Sequence, residues 1–180
     1  DQRIENLAKI LVNYSVRIKK GEKVLIKATT EATPLLLALQ KEILENGGYP
    51  MFDLTLPGEK YNFYKYAGKE QLLDLPQFKI VQAKEASAYI SIISDTNTED
   101  LANVEEEKVR IYWKNKKIKK LYNIVYGKKW VVTLYPTNAL AQKAGMNLQE
   151  FEDFVYEATN IDWEKISREQ KRFCLLYTSP

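Results

Sequence analysis

Four groups of hydroxyl and amide residues each follow an apolar segment, and they are the side chains best suited to contact a polar ligand. In open α/β sheets, ligands bind outside the carboxyl ends of the strands, so such groups could together hold a ligand or a neighbouring domain. The same residue types also cap the helices that follow strands, which explains them without any ligand. The groups are Thr29–Thr30, Thr55, Ser94–Asp95–Thr96–Asn97 and Tyr135–Pro136–Thr137.

The chain contains no histidine. Imidazole is the commonest metal ligand in proteins and the usual general base near neutral pH. Its absence excludes Ser-His-Asp, Cys-His and HExxH chemistry from this chain. Only mechanisms based on carboxylates, lysine or tyrosine remain, and we identify no catalytic residue among them.

An acidic group is the one candidate for metal binding. Glu150, Glu152, Asp153 and Glu157 lie close together in the sequence. Carboxylates clustered on an exposed helix are usually only solvated, and this spacing does not match a calcium loop. We therefore predict no metal site in this chain.

Nucleotide-binding motifs are missing where they would be needed. A dinucleotide site requires GxGxxG directly after the first strand, so that the backbone can approach the pyrophosphate. After KVLIKAT the sequence reads TEATP, residues 30–34, with no glycine, and no P-loop is present. Familiar modes of nucleotide binding are excluded.

The most basic segment, residues 108–129, reads KVRIYWKNKKIKKLYNIVYGKK. Its interleaved aromatic residues allow a nucleic-acid surface as one interpretation. Helical spacing instead places Lys116 and Lys120 opposite an apolar stripe, so we interpret the segment as a solvated helix face and predict no nucleic-acid partner. The stripe comprises Ile111, Ile118, Leu121, Tyr122 and Val125.

Composition favours one folded domain. The 180 residues are 45% hydrophobic and carry a net charge of +3, too balanced to indicate a nucleic-acid or membrane partner. The single cysteine, Cys174, fits a reducing compartment, and no signal peptide or membrane span is evident, so we predict a cytoplasmic protein. The first residue is Asp1 rather than methionine, which we interpret as the sign of a fragment.

Apolar runs at residues 23–29, 49–56, 87–94 and 129–135 predict four strands, separated by helical segments. Thr33 and Pro34 predict the N-cap and first position of one helix, and Gly47–Gly48 predict its end. Residues 59–75 are predicted to be helical in pieces around Gly68, and a long helix is predicted from about residue 98 to 125. This alternation, with strands predicted to be apolar on both faces, indicates an α/β fold, with a mostly parallel open sheet of about four or more strands flanked by helices. The arrangement is Rossmann-like but has no dinucleotide fingerprint.

Residues 133–154, TLYPTNALAQKAGMNLQEFEDF, hold the densest set of turn and cap residues. Thr137 is predicted to cap a short helix that ends at Gly145. Asn147 is predicted to cap the next helix, with Glu150 completing a capping box. Shape therefore explains most of this stretch.

Two segments resemble the M29 family of thermophilic metallo-aminopeptidases. Residues 11–28, LVNYSVRIKKGEKVLIKA, followed by a helix and GGYP, resemble the start of that family. Residues 130–154 are similar to its segment W-x-x-T-x-Y-P-T-x-A-x-A-x-x-A-x-M-S-x-E-E-F-E-D-F. They depart at Asn147 and Gln149, where the family tends to have Ser and Glu, and the capping box survives both changes. The resemblance spans about residues 4–163.

This resemblance implies a two-domain cytoplasmic enzyme, usually a homodimer, that removes N-terminal residues from peptides. Its two divalent ions, zinc, cobalt or similar, are held by Glu, His, Tyr and Asp side chains of a C-terminal domain. Residues 1–173 resemble only the N-terminal domain, so no metal ligand is carried over and the metal-binding domain is expected to be absent. Such a domain would shape the substrate cleft, for which we select Tyr135, Pro136 and Thr137.

The last seven residues, CLLYTSP, resemble translated sequencing-adapter read-through. We predict that residues 174–180 are a non-native tail, with a natural C-terminal tail as the alternative. A different function also stays open: a stand-alone α/β binding module that uses the hydroxyl-rich strand ends.

Overall fold

The computed structural model describes residues 1–178. Its centre is a sheet of four strands, all parallel, in the order β2-β1-β3-β4. The α/β prediction is confirmed, and each predicted strand agrees with the structure to within one residue. The strands are β1 Lys23–Thr29, β2 Tyr49–Thr55, β3 Ala88–Ile93 and β4 Lys129–Leu134.

The first face of the sheet carries the main hydrophobic core. Helix α1, Gln2–Lys9, continues as a π-helix over Ile10–Ser15 and packs with α2, Thr33–Glu45, against this face. Alternate strand residues point into this core because side chains of a strand alternate between its two faces. Those that are fully buried include Val24, Ile26, Ala88 and Ile90.

The second face is covered less completely. Helices α5, Gln77–Glu85, and α7, Lys116–Tyr126, pack there over Leu25 and Tyr89. Near β4 the cover ends, and Trp130 and Val132 are 48% and 50% exposed. β4 has one strand neighbour among the described residues and is therefore an edge strand.

The segments between β2 and β4 are helical in pieces. α3, Glu59–Tyr66, and α4, Lys69–Leu73, precede α5, as predicted around Gly68. The single long helix predicted from residue 98 to 125 is wrong: turns precede α6, Glu106–Lys114, and α7 begins afresh at Lys116. Asn115 causes the break, since its extended backbone cannot continue a helix and its buried side chain accepts from the Lys117 N–H at 2.8 Å.

Two predicted helix boundaries differ in outcome. Thr33 is not an N-cap, because a short 3₁₀ turn, Thr30–Ala32, leads into α2 and makes Thr33 its first residue. The glycine stop is confirmed: Gly47 has φ +73°, a left-handed conformation that favours glycine. A Cβ on Gly48 would meet the Cγ2 atom of Ile18 at 2.9 Å, so a larger residue does not fit there either.

The C-terminal part consists of α8, Asn138–Lys143, α9, Leu148–Thr159, and α10, Trp163–Thr178. Both predicted caps are confirmed: the Thr137 hydroxyl accepts from the Leu140 N–H, and Asn147 forms a capping box with Glu150. Within residues 1–178, none of the helices combines the length and the apolar character needed to cross a membrane.

Replacing the core residue Leu39 by alanine is expected to cost about 2–5 kcal/mol of the free energy of unfolding. Leu39 is fully buried on α2, so truncation leaves a cavity. Urea unfolding followed by circular dichroism measures the change. The control is Leu37→Ala on the same helix, where the side chain is 60% exposed and a change within about 0.5 kcal/mol is expected. Equal losses at the two positions would contradict this assignment of the core.

Candidate functional site

The carboxyl ends of β1 and β3 are joined by hydroxyl groups. These strands flank the point where the strand order reverses, the usual ligand crevice of an open α/β sheet. Here the Thr29 hydroxyl donates to the Ser94 carbonyl at 2.8 Å, and the two hydroxyl oxygens also lie 2.8 Å apart. Ser94 is 1% exposed. The hydroxyls at this crevice therefore bond to each other.

Thr137 is also engaged within the chain. Its hydroxyl donates to the Asp95 carbonyl at 2.6 Å and accepts from the Leu140 N–H at 3.3 Å. It thus ties the start of α8 to the segment after β3 and is only 7% exposed. The Thr137 hydroxyl therefore has a structural role.

Tyr135 and Pro136 complete the predicted cleft group. The Tyr135 N–H extends the pairing of β4 by donating to the Ile93 carbonyl at 2.8 Å, and its ring packs against the first-face core. Burial raises the pKa of the Tyr135 hydroxyl, and the carboxylates of Glu152 and Glu31 raise it further. The group is therefore a neutral phenol near pH 7. Pro136 is buried.

A small hollow lies beside this edge, near the end of β2. Thr29, Thr55, Lys60 and Asp95 are among the residues that line it, and Lys60 pairs with Asp95 at 3.5 Å. Its volume is about 20 Å³, which holds roughly one water molecule. The structure thus brings three of the four predicted groups together at the strand ends, in a space too small for a peptide.

Three of the four acidic residues of α9 have partners, and the fourth, Glu157, is exposed. The Arg3 guanidinium contacts Asp153 at 2.6 Å and Glu152 at 3.1 Å, and Glu150 belongs to the capping box. Over residues 1–178, no group of three or more Asp, Glu or Cys side chains is arranged to hold a metal ion. These carboxylates support the start of α1 and of α9.

The basic segment is only partly a solvated face. Lys116 and Lys120 are exposed as predicted, but other lysines of the segment bind protein groups. Lys117 pairs with Asp74 at 2.7 Å, and Lys129 pairs with Glu22 at 2.7 Å. The Lys128 ammonium donates to carbonyls at the end of α5, including that of Ala83 at 3.0 Å. Much of the positive charge therefore serves intramolecular contacts.

Sequence reasoning missed a polar row within the sheet. The register aligns Lys27 of β1 with Asp53 of β2 and with Ser91 of β3, so all three lie on the second face. Together with Lys79 of α5 they line a cavity of about 180 Å³. The signal was visible, because each of three predicted buried strands contains one polar residue in its interior.

The charges in this row do not balance. The Lys79 ammonium forms a close ion pair with the Asp53 carboxylate. Lys27 has no ion pair or side-chain hydrogen bond within residues 1–178, although its ammonium is reached by solvent from the cavity. One positive charge is therefore left without a contacting counter-ion.

The surroundings change the acidity of Lys27. Although Lys27 is exposed, neighbouring protein atoms partly desolvate its ammonium and so lower its pKa. The Asp53 carboxylate raises that pKa, while the Lys60 and Lys79 ammoniums lower it. The arrangement can therefore bind an anion, or present an amine that loses its proton more readily than an ordinary lysine.

Aromatic residues border the rest of the cavity. Tyr122, Tyr126 and Trp130 form a continuous set of ring contacts, with centroids 5.8 Å and 5.3 Å apart along the set. Burial raises the pKa of the Tyr112 and Tyr122 hydroxyls, so both are neutral hydrogen-bond donors at neutral pH. Tyr112 and Tyr122 belong to the basic segment, residues 108–129, and in the structure both line this cavity.

Replacing Asp53 by asparagine is expected to lower the pKa of Lys27 further, because it removes the one carboxylate that stabilises the charged form. The measurement is the pH dependence of Lys27 acetylation, followed by peptide mass spectrometry. The half-maximal rate should move to lower pH. Asp74→Asn, which removes an exposed carboxylate paired with Lys117, is the control and should leave the Lys27 profile unchanged. A shift to higher pH in Asp53→Asn would overturn this account of the row.

Comparison with solved structures shows which known fold this chain shares. Wild-type AmpT from Thermus thermophilus aligns with a TM-score of 0.69 at 18% sequence identity, which shows a shared fold. The alignment covers 88% of this chain and 43% of that one, so the chain spans less than half the length of AmpT.

A second match, the A-PCP didomain of carboxylic acid reductase from Segniliparus rugosus, has a TM-score of 0.33 at 11% identity and covers 74% of this chain and 18% of that one. So low a score carries no structural conclusion. No curated protein sequence matches the chain.

The family comparison covers almost the whole chain. The model of the thermophilic metalloprotease family M29 matches residues 1–175. This range includes all four strands of the sheet and the capped helices that follow β4. The chain therefore belongs to the thermophilic metalloprotease family M29.

Proposed function

We propose that this chain is the N-terminal α/β domain of a metal-dependent aminopeptidase that releases N-terminal residues from peptides. The observation that carries the proposal is the family match over residues 1–175, taken with a likeness that spans 43% of AmpT. The two together support a domain of a longer peptidase. The substrate is then a peptide, and the principal partner is the remainder of the same enzyme.

The residues of this chain do not fit a paired metal site. Such sites use carboxylates and imidazoles that converge on the ions. This sequence offers no imidazole, and Glu152 and Asp153 already pair with Arg3. We therefore assign the divalent ions, zinc, cobalt or similar, to a separate C-terminal domain and derive no reaction step through them here.

The role of the domain is to shape the substrate cleft. The strand ends are rigid, because Thr29, Ser94 and Thr137 are joined by hydrogen bonds between successive segments. A rigid edge can hold a peptide at a fixed distance from the reacting groups without taking part in the reaction. Tyr135, Pro136 and Thr137 stay our candidates for the residues that shape the substrate cleft.

Further parts of the proposal concern the whole enzyme. We propose a cytoplasmic homodimer, and a domain that comprises residues 1–173. The structure has no break at residue 173, since α10 continues through Thr178, and the family match extends to residue 175. The proposed non-native tail, residues 174–180, includes residues 179 and 180, which lie outside the described residues.

The 180-residue chain alone is expected to show no metal-dependent release of an amino acid from a dipeptide or an amino-acid anilide. It should also fail to bind Zn²⁺ or Co²⁺ tightly in calorimetry, because the neighbouring carboxylates of Glu152 and Asp153 pair with Arg3. Arg3→Ala is the control: it frees Glu152 and Asp153 and is expected to bind these ions more strongly than the wild type. Turnover that a chelator abolishes would refute the assignment of the metal site elsewhere.

Reading the encoding DNA beyond codon 173 tests the domain assignment directly. A downstream frame rich in His and Glu codons would support the aminopeptidase. A genuine stop codon there would instead support a stand-alone binding module at the strand ends. The small hollow at these ends leaves little space for a ligand in that second case.

In the complete enzyme, Tyr135→Phe is expected to raise KM for peptides severalfold while leaving kcat within about twofold, if the hydroxyl contributes one uniform binding contact. The substitution keeps the ring that packs in the core. Tyr14→Phe is a control, since that hydroxyl donates to the Trp163 carbonyl at 3.1 Å and Tyr14 lies beside Lys129, at the amino end of β4. Unchanged KM in Tyr135→Phe would remove Tyr135 from the cleft.

A further inference from the structure

The cavity on the second face has a polar end and an apolar end. Lys27, Asp53 and Ser91 form one row across the sheet, and Leu25, Tyr89 and Trp130 form the preceding row. Because strands rise about 3.3 Å per residue, the two rows lie roughly 7 Å apart. A ligand that fills the cavity along the strands therefore meets charge at one end and apolar side chains at the other.

The volume limits the size of that ligand. The cavity measures about 180 Å³, well below the 300 to 1,000 Å³ usual for drug-sized ligands. An apolar cavity of about 150 Å³ is known to accept benzene. The space therefore suits one six-membered ring that carries one small substituent.

The charges determine the substituent. Lys79 is paired with Asp53, whereas Lys27 has no contacting carboxylate within the described residues. Lys27 is exposed, so an anion that enters the cavity can reach its ammonium and supply the negative charge that it lacks. A carboxylate also matches the donors nearby, since an ammonium and the Ser91 hydroxyl can both donate to it.

The walls suit an aromatic body. Tyr122 stacks on Tyr126, and Tyr126 contacts Trp130 edge to face; all three rings line the cavity. Contacts between aromatic rings in these geometries stabilise a complex by more than the burial of apolar area alone. Tyr126 and Trp130 are about half exposed, so a ligand can enter between the C-terminal part of α7 and β4.

We propose that this cavity is a binding site for a small aromatic monocarboxylate, whose ring lies among Tyr122, Tyr126 and Trp130 and whose carboxylate pairs with Lys27. The site is formed entirely by the second face of the sheet and its helices, away from the strand ends. It does not depend on the proposed peptidase activity.

The test uses the full 180-residue chain with benzoate as the probe and benzyl alcohol as its uncharged counterpart. Calorimetry should give a dissociation constant for benzoate on the order of 1 mM. This affinity is well below the maximum binding free energy per non-hydrogen atom for a ligand of this size. Lys27→Met should weaken benzoate about tenfold or more, because a charged hydrogen bond is lost. Benzyl alcohol should bind the two proteins alike.

The matched control is Lys23→Met. Lys23 lies on the same strand and the same face, pairs with Glu85 at 2.5 Å and does not line the cavity. Its replacement should leave benzoate affinity unchanged. Circular dichroism establishes that each variant is folded.

A second measurement needs no variant. Benzoate at saturation should slow acetylation of Lys27 in the wild-type chain while leaving that of Lys23 unchanged. This result decides the question if Lys27→Met fails to fold. The proposal is overturned if the wild type shows no saturable binding, if Lys27→Met binds benzoate as tightly as the wild type, or if benzoate does not protect Lys27.

Discussion

The parallel register of β1 with both of its neighbours determines where the polar residues of these three strands lie. β1 lies between β2 and β3, and its register with them aligns Lys27 with Asp53 and with Ser91. The same register with β2 aligns Thr29 with Thr55. A shift of one residue in any strand would move its polar residue to the opposite face, into the main core. The core on the first face therefore enforces the polar row on the second.

The structure separates two kinds of polar group that look alike in the sequence. Hydroxyls at the strand ends bond to backbone and to each other, so their hydrogen-bonding capacity is largely used. The ammonium of Lys27 lies within the sheet and has no such partner among the described residues. Hydroxyls whose hydrogen bonds are made within the chain are suited to a structural role at the edge of a cleft. An ammonium without a counter-ion is suited to binding an anionic ligand.

The sequence predicted the strands, the fold class and the N-caps of the two helices that follow β4, because each depends on local features. Apolar runs bounded by turn residues locate strands, and the Asn147–Glu150 spacing makes a capping box on its own. The break at Asn115 was missed, since only the tertiary structure shows that a buried side chain, which also donates to the Leu72 carbonyl, replaces a helical turn. The cavity was missed for a similar reason: the strands were predicted to be apolar on both faces, and only pairing brings Lys27, Asp53 and Ser91 together.

The edge position of β4 has a consequence for the behaviour of the isolated chain. Its outer backbone groups have no strand neighbour in the described part of the chain, and Trp130 and Val132 add apolar surface beside them. Lysine charges on an edge strand often oppose its pairing with a second chain, but here the charge of Lys129 is balanced by Glu22. Strand addition from a second molecule is therefore weakly opposed, and crowded solutions of this polypeptide would favour intermolecular cross-strand assembly.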